Sequence, residues 1–353
     1  MPFRPPGDHL DRDPLVVIAA STAPIVLEGR YRLLVGALVR LRRSRSGRWA
    51  AAVGYSAVAI GLALLAARHF VTTSWPLSRG DPGVLVAAAL LLLGAQALKA
   101  LGWARLFKPD ERPPVLALAA GNGGAALVGV VLPGRFDDAM RITVVRRYPG
   151  CPAGVRALAL SLVMLGLIDS AALAPLASVG AAFPGAGIGA RAGLAVVGLG
   201  GVAAAAVIIA LPRLAKSRHA LRFRLGRWLS PRTTSLRRAS EAWALVSACW
   251  LVRAVAVYLL LGTLGIGFSV PLALLFLCAG AAAAALPIGP AGAATQVGAS
   301  ATALVASGVR ASEALAATVS VAALGVLSGA AVVGVALAWS THTWLPWTRT
   351  RPV

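Results

Sequence analysis

The chain has 353 residues, 58% of them apolar and 13% charged, and its mean hydropathy is +0.79. That balance excludes a disordered chain and departs from soluble domains, whose apolar share is about 45–50%. The formal net charge is +22, carried almost wholly by arginine. No nucleic-acid motif accompanies it and the basic residues cluster between apolar runs, so they read as positive loops facing anionic lipid head groups.

Residues 1–48 read as a basic cytosolic or interfacial extension. Asp8, Asp11, Arg12 and Asp13 mix its charge, Pro24 interrupts the apolar stretch Leu15–Leu27, and no small-residue cleavage pattern of the usual form follows, so a secretory signal is not expected. From Tyr31 to Arg45, Leu33, Leu34, Leu38 and Leu41 lie beside several arginines, as in an amphipathic surface helix or a solvated basic tail. The first span is expected over Ala50–Ala67 and the second over Val84–Leu101, with Lys99 snorkelling at its end. Further apolar segments follow at Val115–Leu132, Val155–Ala182, Ala192–Leu211, Ala242–Leu264, Pro271–Leu286, Ala291–Ser307 and Leu315–Trp339. Each is roughly one bilayer thickness or a little less. The expected fold is all-α, a polytopic helical membrane bundle over residues 49–340, with a cytosolic tail at 341–353.

Arginine and lysine placement orients the spans. The N-terminal extension, the loop with Arg105, Lys108 and Arg112, the connection Arg213–Arg238, and the tail with Arg349 and Arg351 all belong on the cytosolic face. A full crossing by Val115–Leu132 would put Arg135, Arg141, Arg146 and Arg147 outside and invert everything after them. A re-entrant hairpin removes the conflict: the chain breaks at Pro133-Gly134 and returns along Arg135–Tyr148. A second break falls at Pro287-Ile-Gly-Pro290, with Gly292 just beyond. Two hairpins, one from each face, then meet near the midplane, where irregular backbone is tolerated only inside protein or beside a wet cavity. Broken helices in matching positions of two halves point to a transporter site. The competing reading is that these prolines only kink two crossing helices. Gly325-x-x-x-Gly329 reads as a close helix-packing surface.

Charged and polar groups inside apolar spans are the candidate site, because they are costly there. Asp138 and Arg141 share a helix face beside Arg135 and Asp137. They form either an internal salt bridge or an arginine fork for phosphate held in place by the acids. Asp169 lies mid-span with no sequence neighbour to pair with, so it needs a partner from another helix or must be protonated. Arg253 either snorkels, pairs with Asp169 or meets a lipid phosphate. Thr295-Gln296 fits capping or helix–helix hydrogen bonding, with Gln296 the candidate head-group contact. Cys151, Cys249 and Cys278 give no disulfide framework or metal spacing, and His9, His69, His219 and His342 are scattered, so no metal or cofactor is expected.

At these residues the chain resembles the transmembrane-region family of the lysylphosphatidylglycerol synthases, also described as flippase-like integral membrane proteins. The family segment P-x-R-x-G-E-x-x-R reads here Pro133-Gly-Arg135-Phe-Asp137-Asp138-Ala-Met-Arg141; Asp138 keeps the family's acid, and Asp137 replaces its glycine. Of the family's E-R-x-x-D, Leu165 and Gly166 replace the pair while Asp169 remains. The family's L-P-x-x-P-G-G-x-G-x-x-E is similar to Leu286-Pro-Ile-Gly-Pro290-Ala-Gly292-Ala-Ala-Thr295-Gln296-Val297, with valine in place of the glutamate. The resemblance covers about Trp49–Trp339 and implies the lipid-handling half alone, with no aminoacyl-transferase domain after Val353.

The expected function is therefore a transporter or flippase, not an enzyme, that moves or binds an anionic phospholipid or lipid-linked sugar in a bacterial plasma membrane. Arg135 and Arg141 would bind phosphate, Asp138 would orient Arg141, and Asp169 with Arg253 would form a rearranging buried pair. The sequence has no P-loop, which argues against ATP-driven pumping by this chain. Two alternatives stand beside it. One is a non-transporting scaffold for an envelope-synthesis enzyme, or a homo-oligomer. The other is a polyprenyl-phosphate-dependent glycosyltransferase, which would rest on an external acid such as Asp81.

Overall fold

The computed structural model describes residue 68 and residues 76–131, 136–182, 187–215, 235–285 and 292–344. The N-terminal extension, the span expected at 50–67, both helix breaks at 132–135 and 286–291, and the tail beyond 344 lie outside the described residues. Among the described residues there are nine bounded α-helices and no strand. They are α1 Pro82–Ala104, α2 Val115–Val131, α3 Phe136–Arg147, α4 Val155–Ala182, α5 Ile188–Ala215, α6 Leu236–Thr263, α7 Val270–Ala285, α8 Gly292–Ala306 and α9 Ala311–Trp344. The protein is an all-α, multi-pass membrane protein by its apolar helices: α1, α4, α5, α6 and α9 are long and apolar enough to cross a bilayer.

Local chemistry starts and stops these helices. Pro82 opens α1, and Asp81 caps it, its Oδ1 accepting from the N–H groups of Gly83 at 2.7 Å and Val84 at 3.2 Å. The external acid of the glycosyltransferase alternative is thus a helix cap. Ser235 caps α6 through the N–H of Arg238. Large apolar side chains such as Leu90, Val196, Leu199, Leu327, Val335 and Leu337 stand exposed on the outer faces. In water that would be unfavourable; against lipid it is ordinary.

Antiparallel packing sets the topology. α1 and α6 run side by side, joined at one end by Arg105–Glu241 at 3.5 Å and at the other by the Asp81 N–H donating to Thr263 Oγ1 at 2.9 Å. The first end also carries Lys108, Arg112 and Arg237, and is called the basic end. α2 leaves it, and α3 comes back alongside α2: Gly121 packs on Val145 and the Arg141 carbonyl, and Gly124 faces Val144 and Met140. α4 then starts at the basic end, where Trp103 Nε1 donates to Ser161 Oγ at 2.8 Å. The loop of Arg105 to Arg112 and the residues Arg146 and Arg147 therefore share one end, as charge placement requires.

The second hairpin mirrors the first from the opposite end. α7 and α8 are antiparallel, with Gly280 against Ser300, whose hydroxyl donates to the Phe276 carbonyl at 3.0 Å. A far-end core of Val257, Leu261, Ala273, Phe276, Leu304, Ala314 and Ala317 ties their outer ends to α6 and α9. The order helix–hairpin–helix thus occurs twice with opposite sense: α1, α2–α3, α4, and then α6, α7–α8, α9. α5 returns the chain between the two halves, with Gly201 close against Ser170 and Ala174 of α4. The hairpin legs of 12 to 17 residues are about 18–26 Å long, shorter than a hydrocarbon core of about 30 Å. The hairpins meet through α2 and α8.

Close approach explains the small residues. A Cβ on Gly123 would lie 2.5 Å from the Gly329 carbonyl oxygen, so α2 and α9 touch backbone to backbone. The Gly325-x-x-x-Gly329 surface is corrected in part: Gly329 makes this contact, while Gly325 faces open space.

Candidate functional site

Two polar constellations emerge inside the apolar bundle. The first joins α1, α4 and α6. Asp169 sits 14 residues into the 28-residue α4, where an unpaired carboxylate would be costly. Its Oδ2 accepts from Lys99 Nζ at 2.7 Å and its Oδ1 from Trp250 Nε1 at 3.1 Å. The expected Asp169–Arg253 pair does not form. Arg253 lies instead over the Trp250 ring, 5.1 Å from its centre, and Lys99 Nζ is 6.0 Å from the same ring. The reason lies in helix placement: α1 packs along α6 and against α4, so the Lys99 stem reaches inward to Asp169. Arg253 is about one turn beyond Trp250 on α6 and lies over the indole that donates to the carboxylate. Lys99 therefore does not snorkel, since its side chain is only 12% exposed. Trp250 serves both as hydrogen-bond donor and as cation–π surface.

The second constellation is the first hairpin. Arg141 Nη1 donates to Asp138 Oδ1 at 2.8 Å, and Nη2 lies 3.6 Å from Asp137 Oδ2. The internal salt bridge is therefore present, one turn apart on α3. Arg141 Nε is enclosed and has no hydrogen-bond partner among the described residues. Neither side-chain atom of Asn122, on the facing leg, has one. Asn122 is only 5% exposed, flanked by glycines that hold α3 on one side and α9 on the other. Unsatisfied buried amides are rare and call for a partner.

The remaining expected residues fall elsewhere. Pro133, Gly134, Arg135, Pro287 and Pro290 lie outside the described residues, and Gly292 opens α8. Gln296 is exposed on α8, a helix that packs on α7, α9 and α2, whereas α1, α4 and α6 build the charged cluster. Lys99, Trp250 and Asn122 were absent from the expected site. Lys99 and Asn122 were visible as polar residues in apolar runs; nothing local marked Trp250.

Residues 49–333 match the family model described as the lysylphosphatidylglycerol synthase TM region, and the chain belongs to that family. No curated protein and no solved structure matches it. The protein is thus a membrane-embedded member of a lipid-related family.

Proposed function

We propose that this member of the family is a transporter that binds the anionic head group of a phospho- or glycolipid and moves it between the leaflets of a bacterial plasma membrane, without catalysing a chemical change. The observation that carries the reading is the pair of oppositely directed hairpins that pack on each other through α2 and α8. An inverted repeat of this kind gives two related packings of one chain, which alternating access requires. In this reading the hairpins are re-entrant, the basic end is cytosolic, and both termini lie on that side. Arg135 and Arg141 grip phosphate, with Asp138 holding Arg141 in orientation. Asn122 and Arg141 Nε supply further donors from the two legs of the hairpin. The Lys99–Asp169–Trp250 cluster, with Arg253 stacked on it, is the polar joint between α1, α4 and α6.

The test is movement of a fluorescent anionic phospholipid across proteoliposome leaflets. Wild type is expected to accelerate it over empty vesicles, and Arg141→Gln to slow it by about tenfold, the loss of one charge-assisted hydrogen bond. Wild-type vesicles no faster than empty ones would remove the transporter reading and favour the scaffold. An unimpaired Arg141→Gln variant would remove the proposed phosphate role.

A further inference from the structure

A third polar feature lies outside both constellations. At the basic end a cavity of about 410 Å³ opens between the α1–α2 link and the start of α6, lined by Arg105, Arg112, Ser235, Arg237, Arg238 and Glu241. Four arginines and one glutamate line it, a formal net charge of +3. Glu241 is engaged by two of them, Arg237 Nε at 3.2 Å and Arg105 at 3.5 Å. Arg112 and Arg238 make no ion pair among the described residues, and Arg112 Nε is enclosed without a hydrogen-bond partner. The wall also includes the N-terminus of α6, a 28-residue helix with no acid in its first turn, so free N–H groups and the helix dipole add positive potential. A preference for basic residues on one face explains which end the arginines occupy. It does not explain why four converge on one cavity, two of them uncommitted.

The feature below the cavity names the occupant. An apolar groove of about 670 Å³ runs along the same two helices, lined by Ala87, Leu90, Gly94, Leu98 and Leu101 of α1 and by Val252 of α6. These α1 positions recur at three- and four-residue steps, and the next step after Leu101 is Arg105. Groove and cavity therefore share one face of α1. Ala87 to Arg105 spans about 27 Å along the helix, comparable to an extended lipid. A +3 cavity at the head of an apolar groove has the polarity of an anionic phospholipid.

We propose that the cavity is a phosphate site for an anionic phospholipid of the leaflet at the basic end, whose acyl chain lies in the α1–α6 groove. Arg112 and Arg238 carry the phosphate contacts, Arg105 and Glu241 frame the mouth, and the α6 N-terminus supplies backbone donors. The choice of a lipid rests partly on the lipid-handling reading above; the site itself does not depend on translocation.

The test is equilibrium binding of short-chain phosphatidic acid to the purified full chain in detergent, where no leaflets exist and translocation plays no part. The Arg112→Gln/Arg238→Gln double variant is expected to raise Kd at least tenfold. The corresponding lysine double variant should lose about threefold or less, because charge is kept and only the guanidinium geometry is lost. Arg146→Gln, exposed at the same end but outside the cavity, should leave Kd unchanged. Zwitterionic phosphatidylcholine should bind at least tenfold more weakly than phosphatidic acid. Gly94→Leu fills the groove at a position with open space beside it; it should weaken lipid binding severalfold and leave inorganic phosphate binding untouched. Unchanged lipid binding in the glutamine double variant of a monodisperse protein would overturn the site, whatever the transport assay shows. Inorganic phosphate binding as tightly as lipid, with Gly94→Leu neutral, would overturn the lipid assignment in favour of free phosphate.

Discussion

The two hairpins share an antiparallel build and differ in chemistry. α2–α3 and α7–α8 both fold back on glycine contacts, Gly121 and Gly124 in one and Gly280 in the other. The return leg of the first carries Asp137, Asp138, Arg141, Arg146 and Arg147; the return leg of the second carries no charge at all. Small residues let the legs pack closely in both, while charge is confined to one hairpin. An acidic start and a basic finish on α3 also suit the helix dipole. α8 instead holds its place through Ser300 and apolar packing. The difference teaches that the hairpin build does not depend on charge, and that in the proposed reading the first hairpin, not the second, supplies the charged contacts.

The comparison breaks most severely if that cluster is cut. Lys99→Ala leaves the half-buried, mid-span Asp169 without its cation and is expected to cost about 3 kcal/mol, read as a large drop in thermal stability of the detergent-purified protein. A Lys99→Met/Asp169→Leu variant should recover most of that loss, because both charges go together. If Lys99→Ala is as stable as wild type, the cluster does not join the halves. Next in size is Gly123→Ala, whose methyl would meet the Gly329 backbone; about 1–3 kcal/mol of destabilisation is expected. Gly325→Ala, facing open space, should be neutral or slightly stabilising. Ser300→Ala removes one hydrogen bond within the second hairpin and should cost about 1 kcal/mol. The finest contrast is Gln296→Ala, exposed on the uncharged leg: stability within about 0.5 kcal/mol and lipid movement within twofold of wild type. A transport loss there equal to that of Arg141→Gln would erase the proposed asymmetry.

The helical class, the membrane character and most element bounds were legible in the chain. Val155–Ala182 was read to the residue, and Pro271–Leu286 and Ala291–Ser307 lie within a residue or so of α7 and α8. Apolar run length and helix-breaking residues are local properties, so sequence alone determines them once the surroundings are lipid. The charge pattern went further, predicting that Arg146 and Arg147 return to the end that holds Arg105. Its premise is that loop arginines gather on one side of a bilayer.

Partner choice was not legible. Asp169 demanded a cation, and two lay in apolar spans: Lys99, 70 residues earlier, and Arg253, 84 residues later. Nothing in the residues themselves ranks them. Only the packing of α1 against α4 and α6 does, by bringing the Lys99 stem to the carboxylate and setting Trp250 beneath Arg253. The basic cavity has the same origin. Arg105, Arg112, Arg237 and Arg238 were each read as loop charge, and their convergence needs α1 and α6 to end side by side. What a residue costs in a membrane is written in its own chemistry; which residue offsets that cost depends on helix packing across the whole chain.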